Sequence, residues 1–495
     1  MSFVTLLRKD LRKYIEFVQS GFITPGEVLA DFSRLDKEIS NYSVIFYEVL
    51  KFFLINGYTD HAMQMLSREF KSTLTKDQAL ALVNSKFVET RFPVVERERV
   101  DLVRALVFMV ENADFSFTNN PNVSSFLYNV EEIAQHKISV IFDKEFCGES
   151  FQFAVAVASL VDEIPSNIAF TGKVGGGGRV LQVDNIFEKT KYCEEIGLVL
   201  ITPLDVSSVY EIVDFFNTKE FNIPVYVSFS PQKEDVRRQW SSLNEEVAKH
   251  FKTFPNLKLH EKIFGMEFVY SHRELDENEF SKHIRNVYNV LRNVIQNFGV
   301  PHLAIKGPAT FALGLGIAVG AKDRIAVYHY QGGYHLVLDL TTPEKLRLIK
   351  SCKSLEDLRL LSVDVYDYAP NKRKAIFLVD LASHKPFPQI VEFAKTHLPD
   401  AFIIRVTTTS PGNSGNIPIG DWSNYISELF SITQIMRDKY KELHIFLSCP
   451  VPIAFGFGMA LGDYIPGKIY NYNKKSATYV PVFEMPNVFL SPNLE

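Results

Sequence analysis

The chain has 495 residues, of which 46% are hydrophobic and 22% charged, and its formal net charge is −5. This length exceeds what one hydrophobic core accommodates, and the composition is that of packed globular protein, which excludes extensive disorder. The charge gives no general reason to bind long nucleic acid or an acidic membrane, although a local basic pocket for a small anion is compatible with it.

The N-terminal segment is patterned as helices, with breaks at positions 24–26 and 56–57. We predict a helical N-terminal region over residues 1–85, in which no chemistry is visible. Helical patterning continues through residues 96–113 and 123–137. The start of the chain carries charges from Arg8 onward and lacks the apolar core and cleavage site of a secretory signal, which favours a cytoplasmic protein.

A short alternating segment at residues 138–142 predicts a strand, and the sequence becomes informative directly after it. From Ser150 to about residue 230, strands alternate with helices, which indicates an α/β domain. The polar segment that follows is the best boundary candidate. We therefore predict an α/β multidomain chain with a second domain over residues 86–240 and a third over residues 255–495.

Two apolar stretches have the look of membrane spans. Residues 40–57 carry Glu48 and Lys51 in their middle, where a span would place charges in lipid at high cost, so a packed core helix is favoured. Residues 445–461 are nearly free of charge but contain prolines and glycines. Whether residues 445–461 cross a membrane is decided by the internal repeat described next, and we expect no membrane segment.

The C-terminal half contains an internal repeat. Residues 301–320 align with residues 443–462 at one constant offset, which pairs His302 with His444. The same offset pairs three glycines with three glycines, namely Gly314, Gly316 and Gly320 with Gly456, Gly458 and Gly462. Each copy reads as a strand, a turn at proline, a helix of small residues and a hairpin. The stretch at 445–461 is thus predicted to be a buried strand and helix.

A second, weaker echo lies upstream of each copy. Residues 267–274 resemble residues 377–386 at a smaller offset, so an insertion is expected in the second copy. The simplest insertion is the strand at 401–407 with the loop after it. Two stacked α/β units of Rossmann type are the natural product of such a duplication.

The segment around Ser150 resembles the proteolytic domain of Lon. In that family a serine opens a small-residue helix, a Thr-Gly pair ends the next strand, an R-V-L-x-V-x-x-I turn follows, and an E-K pair begins the helix that supplies the base. This chain has Ser150, Thr171-Gly172, the segment 179–186 and Glu188-Lys189 at those places. The resemblance implies a serine protease with a Ser150–Lys189 dyad, in which Thr171 holds the amine.

The chemistry of the dyad agrees with this resemblance. A serine hydroxyl is a weak nucleophile until a base takes its proton, and a lysine is such a base when burial lowers its pKa. Taken singly, Ser150 is an ordinary N-cap and Lys189 a solvated helix residue, and Lys191 is an alternative base. No G-K-[ST] phosphate loop is present, so the reaction is expected to be independent of ATP.

Two features depart from the Lon pattern or offer another nucleophile. Cys147-Gly148-Glu149 stands before the serine, where the family has Asp-Gly-Pro, and Phe151-Gln152 stands after it, where the family has Ala-Gly. Cys147 and Cys193 lie near the dyad, but the matched segment contains no histidine to activate a thiol, so both are expected to be structural. The remaining cysteines, Cys352 and Cys449, do not make up metal-ligand spacing, and neither a metal site, a disulfide framework nor a cofactor is indicated.

The duplicated half resembles the SAVED domain, a fusion of two CARF-like Rossmann units that binds cyclic oligonucleotides. A protease ahead of such a sensor is similar to the CRISPR-associated Lon proteases with a SAVED domain, the CalpL family. That resemblance implies a cyclic oligoadenylate as activator, cyclic tetra-adenylate in particular, and a bound companion protein as substrate. Ligand-induced oligomers are a further expectation.

Polar residues at the predicted strand ends are the candidate ligand contacts, because ligands of Rossmann units gather at the carboxyl ends of parallel strands. Cations pair with phosphates, and an aromatic ring can stack on a base. The candidates are Ser271, His272, Arg273, Lys306, Gly307, Ser383, His384, Lys385, Arg405, Ser410, Trp422 and Ser448. Trp422 is equally well interpreted as a loop anchor.

Three functions are compatible with these residues. The first is an endopeptidase switched on by a cyclic oligoadenylate, and the second is a degenerate protease fold that only binds and transmits the ligand. The third is an NAD-type enzyme, suggested by the glycines at 314, 316 and 320, but no acidic residue follows at the expected distance after a matching strand.

Overall fold

The computed structural model describes residues 3–97, 99–110, 114–229, 233–251, 253–254, 256–265, 267–409, 417–462, 465–485 and 488–489. The chain divides into two compact units. The first consists of Met1–Thr218 with Asn256–Gly265, and the second of Lys219–Pro255 with Met266–Glu495.

The described helices follow in chain order. They are Phe3–Lys9 (α1), Leu11–Gln19 (α2), Pro25–Ser33 (α3), Tyr42–Ile55 (α4), Thr59–Glu69 (α5), Lys76–Asn84 (α6), Leu127–Ala134 (α7), Gln152–Ala158 (α8), Ile186–Glu195 (α9), Val209–Asn217 (α10), Lys233–His250 (α11), Leu257–Phe264 (α12), Phe280–Asn297 (α13), Ala309–Val319 (α14), Pro343–Leu348 (α15), Phe387–His397 (α16), Ser423–Ile435 (α17) and Val451–Leu461 (α18).

The described strands are numbered in the same way. They are Lys86–Glu96 (β1), Arg99–Met109 (β2), Phe117–Thr118 (β3), Ser139–Phe142 (β4), Ile168–Phe170 (β5), Lys173–Gly175 (β6), Arg179–Leu181 (β7), Val199–Ile201 (β8), Phe221–Phe229 (β9), Val269–His272 (β10), Gly299–Lys306 (β11), Ile325–Tyr330 (β12), Tyr334–Leu340 (β13), Leu361–Tyr366 (β14), Lys374–Asp380 (β15), Ala401–Thr408 (β16), Glu442–Ser448 (β17), Gly467–Asn473 (β18) and Thr478–Met485 (β19).

The first unit combines helices with three small sheets. Its four-stranded sheet has the order β1-β2-β4-β3, while β5 pairs with β8 in parallel and β6 with β7 in an antiparallel hairpin. Helices α1–α6 pack on the larger sheet in one hydrophobic core, which runs from Leu7 and Leu82 on the helices to Leu106 and Phe108 on β2. The predicted boundary at residue 85 therefore does not separate two cores.

The segment 96–113, predicted as a helix, is instead largely the strand β2. It pairs with β1 along its whole length, from Glu96 opposite Arg99 to Lys86 opposite Met109. The turn between the strands contains Arg97 with a φ of 46°. The apolar run of β2 satisfies a helical period as well as a buried strand, and such a run is decided by the partner it pairs with.

Helix α4 accounts for most of the apolar stretch 40–57, and both of its central charges are paired. Glu48 forms an ion pair with Arg104, and the amine of Lys51 donates to Glu89 over 2.7 Å. Across the residues that the structure describes, no helix combines the length and the apolar composition needed to cross a membrane.

The second unit is built from two sheets of related topology, ordered β10-β9-β11-β12-β13 and β14-β16-β15-β17-β18-β19. The repeat offset holds in three dimensions. Ala304 pairs with Tyr328 as Phe446 pairs with Tyr470, and the ladders to β13 and β19 are irregular at the equivalent points, before Tyr328 and before Tyr470. His302 contacts the hydroxyl of Tyr328 at 2.8 Å, and the same contact recurs one repeat later.

Strand pairing corrects the weaker echo. In the second sheet β15 lies between β16 and β17, and in the first sheet β9 holds that place between β10 and β11. The partner of residues 377–386 is therefore the segment around β9, not residues 267–274. Strand β16 is the counterpart of β10 and so is not an insertion, whereas β14 is an additional edge strand in the second copy.

The same pairing moves the domain boundary. The segment around β9 was expected to complete a domain over residues 86–240, but β9 pairs with β10 and β11 in the second unit. The first unit thus ends at Thr218, and the second begins well before residue 255. A strand belongs to the sheet that satisfies its backbone hydrogen bonds, and sequence order does not show which sheet that is.

Two glycine-rich helices, α14 and α18, cross at the centre of the second unit. A Cβ atom on Gly316 would lie 2.0 Å from the carbonyl oxygen of Phe455, and one on Gly458 would lie 2.2 Å from that of Leu313. Leu313 and Phe455 are themselves equivalent positions of the repeat, so each copy contributes the same contact to the other. Glycine is required because the two backbones touch.

Substituting Gly316 or Gly458 by alanine should lower the free energy of unfolding by on the order of 2 kcal/mol, because the added methyl group has no space at the crossing. Urea unfolding followed by circular dichroism measures this. Gly420→Ala is the matched control, since no heavy atom lies within 4 Å of its Cβ position. Equal stability of the Gly316→Ala and Gly420→Ala variants would contradict the crossing.

Candidate functional site

The first candidate site is a cavity of about 590 Å³ in the first unit, and both members of the predicted dyad line it. Ser150 lies just before α8, in a loop whose turn uses Gly148 at a φ of 103°. The carbonyl of Ser150 accepts the N–H of Gly172 at 3.1 Å, and the N–H of Phe153 returns to the carbonyl of Gly172 at 3.2 Å. This loop is thus fastened to the segment that carries Thr171.

The residues after Ser150, which depart from the Lon pattern, hold the loop from within. Phe151 is fully buried in an aromatic cluster with Phe142 and Phe146, at ring separations of 5.8 and 5.6 Å. The amide of Gln152 donates to the carbonyl of Phe126 and accepts from the N–H of Val174. Both side chains therefore fix the backbone next to the hydroxyl.

Lys189 enters the cavity from α9 and is 4% exposed. Burial lowers its pKa below the ordinary value of 10.5, against an opposing influence from Asp184. Its amine donates to the hydroxyl of Thr171 at 3.4 Å, and Thr171 is fully buried. Lys191, the alternative base, is exposed.

Ser150 and Lys189 therefore line the same cavity, and the amine of Lys189 contacts Thr171. Within the described residues the amine donates to Thr171 and makes no hydrogen bond to Ser150. A buried amine of lowered pKa in the same cavity as a hydroxyl is compatible with general-base activation of a serine.

Other polar groups around the cavity were not singled out as functional. Glu149 and Lys173 form an ion pair of 2.9 Å at its wall. Cys147 also lines the cavity and is exposed, which corrects its expected buried role, whereas Cys193 is buried and its pKa is raised to about 11 by burial. The positions of Glu149, Lys173 and Cys147 at this cavity depend on the loop at Gly148 and could not be inferred from their spacing in the sequence.

The second candidate site is the carboxyl edge of the first sheet in the second unit. Ser271, Ser228 and Lys306 are register neighbours there, on β10, β9 and β11. Ser271, His272 and Arg273 are exposed, and Gly307 follows Lys306, where a Cβ would come within 2.9 Å of the Phe229 ring. The amine of Lys306 pairs with Asp235 on α11.

The carboxyl edge of the second sheet is arranged around Asp380, which is fully buried. Arg405 donates to one of its oxygens through Nε at 3.0 Å and through a terminal nitrogen at 2.6 Å, and the amine of Lys385 lies 3.6 Å from the other. Ser448 donates to the carbonyl of His384 at 2.7 Å, beside the exposed Ser383. The predicted polar residues meet, but Arg405 has a structural partner.

The two remaining predicted ligand contacts are Trp422 and Ser410. Trp422 is 1% exposed, and its indole N–H donates to the carbonyl of Pro418 at 2.8 Å, so it is a loop anchor and not a platform for a base. Ser410 lies outside the described residues. Asp235, Ser228 and Asp380 were missed, because β9 was assigned to another domain and carboxylates were not considered as partners of the cations.

The two carboxyl edges are neighbours within the second unit. Thr310, in the first turn of α14, donates to the side-chain oxygen of Asn471 near the end of β18 over 2.9 Å. Helix α14 starts at the carboxyl end of β11, and β18 runs parallel to β17. The start of α14 and the end of β18 therefore lie close together.

A protein-family model matches part of the second half of this chain. The family model described as "SMODS-associated and fused to various effectors sensor domain", SAVED, matches residues 357–485. The chain thus contains a SAVED domain in a mixed α/β fold, and the match covers the six-stranded sheet and not residues 255–356.

Solved structures similar to this chain include several receptors. A Moraxella osloensis Cap4 SAVED/CARF-domain containing receptor is 10% identical, with a TM-score of 0.34 over 82% of this chain and 95% of that one. The Acinetobacter baumannii Cap4 receptor with the cyclic trinucleotide 2'3'3'-cAAA is 11% identical, with a TM-score of 0.33 over 53% of this chain and 51% of that one. The same receptor with 3'3'3'-cAAA is 12% identical to this chain, with a TM-score of 0.33. This chain spans about half the length of the Acinetobacter receptor, and no curated protein matches it.

Replacing Lys189 by methionine should raise the free energy of unfolding at pH 7 by on the order of 1 kcal/mol, because a buried amine is costly to keep in its charged form. The folded pKa lies below the unfolded one, so the unfolded state binds more protons and the wild type gains stability as the pH rises toward 10.5. The difference between wild type and variant should therefore shrink between pH 7 and pH 10 in urea unfolding curves. Lys191→Met, on the exposed face of the same helix, should show no such pH dependence.

Proposed function

We propose that this chain is a Ser–Lys endopeptidase whose activity is controlled by a cyclic oligonucleotide bound to its SAVED domain. The buried amine of Lys189 in the cavity of Ser150 is the observation that carries the peptidase proposal. No step of the reaction requires ATP or a metal ion.

In the proposed reaction, the neutral amine of Lys189 takes the proton of the Ser150 hydroxyl while the hydroxyl oxygen attacks the peptide carbonyl. The proton then passes to the departing amine, and an ester of Ser150 remains. Water hydrolyses this ester with Lys189 again as the base. Thr171 holds the amine in place between these steps.

The present position of Lys189 suggests how the peptidase is regulated. The hydrogen bond from its amine to Thr171 supports the proposal that the enzyme is at rest. Apo active sites often tighten their catalytic hydrogen bonds only when substrate binds. We propose that substrate or ligand binding brings the amine to the hydroxyl.

The ligand proposed for the SAVED domain is a cyclic oligoadenylate. Cyclic trinucleotides occupy the Acinetobacter baumannii Cap4 receptor. The resemblance to the CalpL family favours cyclic tetra-adenylate, a bound companion protein as substrate, ligand-induced oligomers and a role in type III CRISPR signalling in the cytoplasm. These finer assignments are part of the proposal.

A second candidate function is a binding module without peptidase activity. The residues on both sides of Ser150, which depart from the Lon pattern, favour it. In that case the first unit would only transmit the bound state of the SAVED domain. Cleavage assays separate the two functions.

Ser150→Ala should abolish cleavage of the companion protein in the presence of cyclic oligoadenylate, and Lys189→Met should reduce it at least about a thousandfold, since either change removes one half of the dyad. Product formation on denaturing gels measures this. Lys191→Met is the control and should cleave like the wild type. Cleavage by Ser150→Ala would remove the proposed nucleophile, and an inert wild type under ligand would support the binding module.

The full chain should be stabilised by one of the cyclic adenylates, because a ligand that binds only the folded state raises the melting temperature. Thermal shifts with cyclic tri-, tetra- and hexa-adenylate measure this. Arg273→Ala, which removes an exposed cation at the carboxyl edge, should weaken the effect, whereas Arg292→Ala on α13 should not. NAD serves as the negative control, because Gly314 and Gly316 pack inside the protein. A shift with NAD alone would contradict the proposal.

A further inference from the structure

Three of the predicted ligand cations, Lys306, Lys385 and Arg405, are already paired with acids of this chain. In the second sheet, Arg405 and Lys385 surround Asp380, which stands in the strand itself and is fully buried. In the first sheet, Lys306 pairs with Asp235, which comes from the first turn of α11. The two acids therefore differ in how easily they can be displaced.

Asp380 cannot leave its cations without a large cost. A fully buried carboxylate that loses its partners is left uncompensated, and such a loss destabilises a fold by several kcal/mol. Arg405 also packs 4.5 Å over the ring of Phe387. The Arg405–Asp380 pair is thus part of the framework.

Asp235 is less enclosed than Asp380. Its side chain is 14% exposed, and that of Lys306 is 48% exposed, so Lys306 is open to a dissolved anion. Asp235 also has a second partner, because Arg238 donates to it over 3.0 Å and is itself 78% exposed. Asp235 can therefore release Lys306 and remain paired.

Two buried hydroxyls lie close to Lys306. Ser228 is its register neighbour and is fully buried, as is Tyr226 two positions earlier on the same face of β9. Burial raises the pKa of Tyr226, against hydrogen bonds to Ser228 and Tyr334 that act to lower it. These hydroxyls therefore contact one another, and Lys306 is the cation beside them.

We propose that the carboxylate of Asp235 stands in for a ligand phosphate on Lys306 and has to be displaced when the cyclic oligonucleotide binds. This inference rests on the proposed ligand of the SAVED domain. A carboxylate and a phosphate oxygen compete for the same ammonium donors. The apparent affinity for the ligand is therefore the intrinsic affinity multiplied by the fraction of chains in which Lys306 is free. Asp235 thereby sets the ligand concentration at which the domain responds.

Isothermal titration of the full-length chain with cyclic tri- and tetra-adenylate tests this role. Asp235→Asn should bind up to about tenfold more tightly than the wild type, because the competing charge is gone. Glu220→Gln is the matched control: Glu220 pairs with Arg324 next to the first residue of β9, at the opposite edge of the sheet. It removes the same charge and should leave the affinity unchanged.

The effect of Asp235 should depend on Lys306. In a Lys306→Ala background, Asp235→Asn should no longer tighten binding, which a general structural role of Asp235 would not produce. If thermal melts show that Asp235→Asn is unfolded, Asp235→Ser replaces it in the same cycle.

The outcomes separate this inference from the function on which it rests. Ligand binding by the wild type with equal or weaker binding by a folded Asp235 variant overturns the inference and leaves the proposed function standing. Tighter binding by both Asp235→Asn and Glu220→Gln also overturns it, because net charge would then be the cause. Binding of neither ring by the wild type or by the Asp235 variant overturns the proposed ligand itself.

Discussion

The backbone contact between α14 and α18 is the constraint on which the second unit depends. At the crossing, Gly316 meets the carbonyl of Phe455 and Gly458 meets that of Leu313, so two copies of one motif approach each other reciprocally. Each helix follows a central parallel strand, and the crossing therefore sets the distance between the two carboxyl edges. Any side chain at either glycine would push the two helices apart.

In the first unit, several contacts hold a buried amine and the loop that carries the serine. Lys189 lies in a cavity where burial lowers its pKa, and a fully buried Thr171 receives its hydrogen bond. The loop with the serine is held by the aromatic cluster around Phe151 and by both ends of the Gln152 amide. These contacts give a physical reason for the residues that depart from the Lon pattern: they stabilise the loop from inside, where the family uses small residues.

Sequence reasoning succeeded where a pattern reflects local geometry or close contact. The repeat was visible because its glycines, its His302–Tyr328 pair and its bulges all serve packing that recurs in the second copy. The association of Ser150, Thr171 and Lys189 was predicted from one continuous segment of the sequence. By contrast, β2 was predicted as a helix and β9 was placed in the wrong domain, because strands are defined by partners far away in the sequence. The echo at 267–274 failed for the same reason: a few similar letters do not show which strand lies beside which.

The acids at the two carboxyl edges were missed because the candidate phosphate contacts were cations, hydroxyls, a glycine and an aromatic ring, and no carboxylate was considered. In a folded chain, the cations of an anion-binding site are seldom unpaired when the site is empty. A carboxylate of the same chain at hydrogen-bonding distance lowers the free energy of the empty site. Where that carboxylate belongs to the strand, as at Asp380, the pair is permanent and the cation is structural. Where it comes from the first turn of a helix and keeps a second partner, as at Asp235 with Arg238, we propose that the pair can be exchanged. The duplicated fold thus holds one ion pair within strands and one between a strand and a helix at equivalent edges, and the proposal assigns the response to a ligand to the second.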